Sequence, residues 1–239
     1  SHNNKLYSAG SAGQVTEWDL VTRWGRSVIT DAAGIKGLEI SDEGTMLAVL
    51  TSDGRVLCRK ADSPQKPVTL IAGENTITTH KFIPGGERLA TGDETGLIEV
   101  WNTATGKEEG NAEGHLTPVR CITFDRTDGQ MLSADDAGEI RLWTLANLSQ
   151  PPVIFTDGEK DVIRLAFSDG GDAFLSATRT DVIRRPAHIR CMTDGLCNKV
   201  SRNLTPQEWS AFIGRDIEYE PSCPDKDVRI RVKEIRGSN

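Results

Sequence analysis

Four histidines and five cysteines are the side chains best able to hold a metal or attack a substrate, and their spacing arranges them for neither. His2, His80, His115 and His188 stand far apart, with no pair at the short separations that bring two imidazoles to one ion. His188, Cys191, Cys197 and Cys223 gather towards the C-terminus but match none of the close pairs of structural zinc sites. Those cysteines are expected as reduced thiols in a cytosolic protein, or, in an oxidising compartment, as a Cys197–Cys223 or Cys191–Cys197 disulfide. Cys58 and Cys121 lie inside apolar runs and read as small buried hydrophobes. No catalytic residue, metal site or cofactor is assigned.

The elements that carry these residues follow a period. Trp18, Arg59, Trp101, Trp143 and Arg185 recur at steps of 41, 42, 42 and 42 residues, each closing a short β-rich stretch. A turn glycine keeps the same step at Gly44, Gly86, Gly129 and Gly171. Self-similarity near 40 to 45 residues per unit marks a repeat architecture built of four-stranded units. In VRCITF, Val119, Cys121 and Thr123 point one way and Arg120, Ile122 and Phe124 the other. Neither face is purely polar, as expected of a sheet packed on both sides.

The best-preserved unit, GHLTPVRCITFDRTDGQMLSADDAGEIRLWTL from Gly114 to Leu145, resembles the WD-repeat family. It has a Gly-His pair, a first strand VRCITF, an Asp-Gly turn, a second strand QMLSAD and a third strand IRLW. The resemblance implies an all-β propeller whose blades are four-stranded antiparallel sheets around a central channel. It also implies a structural role for His115, in a buried hydrogen-bond network with a second-strand Ser or Thr, a turn Asp and the third-strand Trp. Ser133 and Trp143 fill two of those roles, Trp18 and Trp101 being the matching residues of two other units. The aspartate is expected six residues before the Trp, where Ala137 stands, with Asp136 one residue off. The same position is Ala12 before Trp18 and Thr95 before Trp101, and Arg replaces Trp at 59 and 185, so the other blades are expected to rely on apolar packing.

Residues 1–190 are thus expected to form about four and a half blades, the first lacking its first strand, as the C-terminal part of a seven-bladed ring. First strands are expected at Ile35–Ile40, Ile77–Ile83, Val119–Phe124 and Val162–Phe167, and two to three blades are expected upstream. Residues 191–239 are expected to form a tail with a short helix at about 206–213, capped by Thr205 with Glu208 completing the box, and the pattern of 228–235 allows an edge strand. A five-bladed ring completed by that strand is the alternative. The tail resembles the ending of large bacterial WD-repeat proteins, some of which carry a STAND-type nucleotide-binding or caspase-like module, which implies a signalling context.

Charge narrows the partner. Residues 1–185 carry 19 basic and 27 acidic side chains, and an acidic surface repels a polyanion, so nucleic acid is not expected. No apolar run reaches the ~20 residues of a membrane span. Compartment is open, the cytoplasm being favoured slightly over a periplasmic or extracytoplasmic site. What remains is recognition by loops on a rigid frame: a non-enzymatic scaffold or sensor that binds a protein or peptide. The rim positions are Ile35, Lys36, Asn75, Thr76, Leu116, Thr117, Lys160 and Asp161, with Trp24 in the VTRWGRS turn as a further candidate. The alternative of another class is a propeller hydrolase or lactonase, which needs a metal held by converging carboxylates at the channel mouth. The first strands offer mainly Glu39 and Arg120 for that.

Overall fold

A computed structural model describes residues 4–10, 12–30, 33–63, 68–70, 75–126, 129–156, 161–188, 202–208 and 223. The chain divides into a unit of residues Ser1–Arg185 and a second of Pro186–Asn239.

The first unit is a series of antiparallel sheets, each drawn from one stretch of chain. Sheet one holds β1 (Lys5–Gly10), β2 (Gln14–Asp19) and β3 (Trp24–Ile29). Sheet two holds β4 (Ile35–Ile40), β5 (Met46–Thr51), β6 (Val56–Lys60) and β7 (Val68–Leu70). Sheet three holds β8 (Ile77–Phe82), β9 (Arg88–Asp93), β10 (Ile98–Asn102) and β11 (Glu108–Ala112). Sheet four holds β12 (Val119–Phe124), β13 (Gln130–Asp135), β14 (Ile140–Thr144) and β15 (Val153–Phe155). Sheet five holds β16 (Arg164–Phe167), β17 (Ala173–Ala177) and β18 (Val182–Pro186). The sheets agree with the period, and the first strands β4, β8, β12 and β16 each contact the next, so the sheets fan out from a common inner edge.

Packing follows one rule at each junction. Leu89 of β9 and Trp101 of β10 pack on Met46, Ala48, Leu50, Val56 and Cys58 of sheet two. Met131 and Trp143 of sheet four pack in the same way on Ala90, Ile98, Val100 and Ala112 of sheet three. Leu47 and Val49 meet Val15, Ile29, Tyr7 and Val28 of sheet one. The second strands β5, β9 and β13 are therefore buried on both faces; all six residues of β5 are. The large aromatic or aliphatic side chain of each sheet enters a bed of small and β-branched residues on the sheet before it. Burial of this kind stabilises by about 25 cal/mol per Å² of apolar surface.

Polar ties cross the junctions at the inner edge. Thr78 Oγ1 donates to Val119 O at 2.6 Å, joining β8 to β12. Glu39 Oε1 meets Lys81 Nζ at 2.6 Å and accepts from Phe82 N at 3.3 Å. Burial lifts the Glu39 carboxyl above its usual range, opposed by Lys81.

Two sequence expectations need adjustment. Trp24 is not in a turn: it opens β3, paired with Asp19, because the turn closes earlier, at Arg23, whose φ is 60°. The inner strand of sheet five begins at Arg164 rather than Val162, after Asp161, which also has positive φ at 64°. In the second unit residues 206–208 are helical; Thr205 Oγ1 accepts from Glu208 N at 3.2 Å and Glu208 Oε2 from Thr205 N at 2.8 Å, the expected capping box. The rest of the 206–213 helix and the 228–235 strand lie outside the described residues. No described helix is long and apolar enough to cross a membrane.

Candidate functional site

The loop that leads into β12 is held by a buried polar cluster. Ser133, on β13, faces Arg141 across the ladder to β14, and Trp143 lies two residues on, on the same side. Trp143 Nε1 donates to Ser133 Oγ at 2.8 Å, and Ser133 Oγ stands 2.7 Å from His115 Nε2. The indole fills one acceptor site of Ser133 and leaves its hydroxyl free to donate to Nε2, and the two carboxylates beside Nδ1 favour the tautomer that carries its proton there. That atom lies 3.3 Å from Asp135 Oδ2 and 3.7 Å from Glu139 Oε1, close enough for charge to act though not aligned as a hydrogen bond. Burial holds His115 below the ordinary imidazole range despite both carboxylates, so it is neutral at pH 7.

The aspartate of this network is Asp135, eight residues before the Trp, and neither Ala137 nor Asp136. Asp135 Oδ1 accepts from Glu139 N at 2.9 Å and so closes the β13–β14 turn. Asp136 instead pairs with Arg120 of β12. Sheet three repeats the device with Asp93, whose Oδ1 accepts from Leu97 N at 3.0 Å, and sheet two with Thr51, whose Oγ1 accepts from Arg55 N at 3.2 Å. A signal for it was present in the sequence. Gly13, Gly54, Gly96 and Gly138 recur at the repeat step, with φ of 83°, 80°, 94° and 82°, and the turn-closing residue stands three before the last three of them.

The Ser/Thr-to-Trp bond also recurs: Trp18 Nε1 to Ser8 Oγ at 2.8 Å and Trp101 Nε1 to Thr91 Oγ1 at 2.9 Å. Where Arg replaces Trp polar contacts stand beside the apolar packing on which these blades were expected mainly to rest. Arg185 donates to Ser176 Oγ, and Arg59 spans the carbonyls of Val28 and Ser63. At Arg185 the guanidinium reaches the second-strand hydroxyl that an indole N–H would have met, whereas Arg59 takes backbone carbonyls instead.

His115, Asp135 and Glu139 place three ligand atoms within 4.8 Å of one another. The cation there is already supplied by the chain: Arg141 Nε donates to Glu139 Oε1 at 2.5 Å, and the guanidinium carbon sits 5.8 Å from the Trp143 ring centroid. The cluster therefore anchors a loop. Beside the buried His115, Leu116 is 91% exposed, and Thr117 Oγ1 accepts from Ala137 N at 3.2 Å. Of the other rim candidates, Ile35, Asn75 and Thr76 are half-buried, and Lys36 and Asp161 are exposed; Lys160 lies outside the described residues. Trp24 is 73% exposed, away from these loops on the outer strand of sheet one. Cys58 and Cys121 are free and buried, their thiols pushed up to about 12 and about 11 by desolvation, which makes them inert. Cys223 is disulfide-bonded and so no thiolate ligand; Cys191 and Cys197 lie outside the described residues.

A match to the "WD domain, G-beta repeat" family covers residues 106–144, the stretch that carries this cluster. That stretch is a WD repeat, and the other sheets follow its strand order and period. The chain is 27% identical over 176 residues to the target of rapamycin complex subunit wat1 of Schizosaccharomyces pombe, covering 73% of this chain and 55% of that protein. It is 25% identical over 153 residues to eukaryotic translation initiation factor 3 subunit I of Vanderwaltozyma polyspora, covering 64% and 41%. It is 25% identical over 130 residues to the serine-threonine kinase receptor-associated protein of Gallus gallus, covering 52% and 36%. The chain thus spans about half the length of these relatives or less. A chain of the crystal structure of the mitotic checkpoint complex superposes with a TM-score of 0.70 over 78% of this chain and 58% of that one, at 17% identity, which speaks to fold alone.

Within this WD-repeat frame one buried acid has a testable consequence. Burial first, then Glu108 and Asp93, push the Glu99 carboxyl up to about 7. The folded chain holds this proton where the unfolded chain, near 4.5, has lost it, so stability falls as pH rises from 4.5 to 7. Glu99→Gln should equal the parent at pH 4.5 and exceed it by on the order of 2 kcal/mol at pH 8, read by urea melts. Parallel curves at both pH values would remove Glu99 as the cause.

Proposed function

We propose that this chain is a non-enzymatic scaffold that grips a protein or peptide partner at the loops entering its first strands, with Leu116 as the central contact. The supporting observation is Leu116 itself: an apolar side chain almost wholly in solvent, on a loop whose preceding residue is locked to Ser133 and Trp143. Such a side chain loses little conformational entropy on binding because its backbone is already fixed. The named relatives are subunits or associates of larger assemblies, which favours the same use here. The first-strand charges Glu39 and Arg120 are each taken up in ion pairs, with Lys81 and Asp136, and this favours binding over the hydrolase alternative.

The same reading sets the piece within a larger protein, a bacterial signalling protein in which further blades complete the ring. What supports added blades is the face of sheet one that bears Leu6 and Trp18. They are 53% and 41% exposed, where their counterparts Met131 and Trp143 are 0% and 2%. Leu116→Asp should leave the melting temperature within about 2 °C of the parent, as a surface change does, and reduce partner binding by about tenfold or more. Recovery of every partner at parental yield would remove the rim reading.

A further inference from the structure

Two exposed sheet faces are the two halves of a contact that the sheets of this chain make with one another. At the junction of sheets two and three the later sheet brings a large pair, Leu89 and Trp101, and the earlier one offers a bed of Ala48, Leu50, Val56 and Cys58. Met131 and Trp143 enter sheet three in the same way. Sheet one carries the large half of this contact, since Leu6 and Trp18 face each other across β1 and β2 and are 53% and 41% exposed. Sheet five carries the other half. Phe174 meets the Phe155 ring of sheet four and Arg185 reaches Ser176, so alternation along β17 and β18 turns Leu175, Val182 and Arg184 to the opposite side. Leu175 and Val182 are 39% and 67% exposed, where Leu132 and Ile140, their counterparts one sheet earlier, are 0% and 1%. Each sheet face is thus built for cover, and covering apolar surface is favourable.

We propose that a second copy of this chain covers these faces, sheet one of one copy packing on sheet five of the next as sheet three packs on sheet two. The occupant is a second copy because the halves differ in kind. Sheet one presents the Leu and the indole, and sheet five presents Ala173, Leu175, Ala177 and Val182, a bed of small and aliphatic side chains. Two like faces would set Trp18 against Trp18 and leave the bed uncovered. A contact between unlike faces leaves one of each open at the ends of a pair, so association continues past two copies. This goes beyond the rim contact at Leu116 and does not rest on it; in a longer protein the added blades would compete for the same faces.

Sedimentation equilibrium of the whole chain should show the average mass rising from that of one copy to two and above as concentration rises about a hundredfold through the micromolar range. Leu6→Asp and Val182→Asp should each hold the chain at one copy, because each puts an unpaired carboxylate into the contact. Mixed together, the two variants should associate again and stop at two copies, since each keeps the face that the other has lost. That recovery also shows that both variants are folded. A parent chain that stays at one copy throughout, association that survives either single variant, or none in the mixture would overturn the proposal. Leu116→Asp should associate as the parent does, so failure here and failure of the rim reading are told apart. A parent chain that stays single, with Trp18 protected only in a longer protein, would overturn the second copy and leave the added blades standing.

Discussion

Trp143→Ala should destabilise the chain by about 4 kcal/mol, and Trp18→Ala by about 1 kcal/mol, although the two residues hold the same place in their repeats. Trp143 is enclosed by sheet three and donates to Ser133; its loss leaves a cavity, a Ser133 with His115 alone and an Arg141 without its ring. Trp18 makes the matching bond to Ser8, but its ring rests on Gly25 with the far side in solvent. Urea unfolding of both variants measures the contrast. A Trp18 cost as large as that of Trp143 would mean that the Leu6–Trp18 face is covered. In a longer protein carrying preceding blades the Trp18 cost should rise to meet that of Trp143.

Gly96→Ala should cost about 3 kcal/mol, while Gly85→Ala costs about 1 kcal/mol. Both glycines have φ near 95°, so both variants carry the strain of a side chain in the left-handed region. Only at Gly96 does a Cβ meet backbone: the His115 carbonyl oxygen lies 2.3 Å from where it would stand, whereas nothing lies within 4 Å at Gly85. The turn of sheet three and the loop of sheet four cannot separate without disturbing the His115 network. The Gly96→Ala variant should therefore also weaken whatever Leu116 binds, and equal melting curves for the two variants would show that the close approach is absent.

The frame was legible from sequence because its signals are periodic. A side chain repeated every 41 or 42 residues, with a turn glycine in step, fixes strand order in a way no single motif does. Trp143 and Ser133 were readable for the same reason, each lying in an unbroken strand. The aspartate was placed two residues late because the offset was counted back from the Trp as a rule. The geometry counts forward from the carboxylate to the positive-φ glycine three residues on, as Asp135 to Gly138 shows. Arg185 read as a loss because the pattern records residue type, while the fold needs only a donor that reaches Ser176, and Arg59 because its acceptors are backbone carbonyls that no pattern records. The buried acids of sheet three could not be read at all. Nothing in the letters shows that Asp93 and Glu99 share one buried face, since that depends on ladder register and on which face is covered.

We propose that a fixed loop on the WD-repeat frame does the binding. It is tested most directly by placing a photo-reactive phenylalanine analogue at position 116, with position 154 on the exposed outer strand β15 as control. Irradiation in the native cell should yield a defined cross-linked protein from position 116, the same one lost from Leu116→Asp, and none from position 154. The same product from both positions, or none from position 116, would contradict the account.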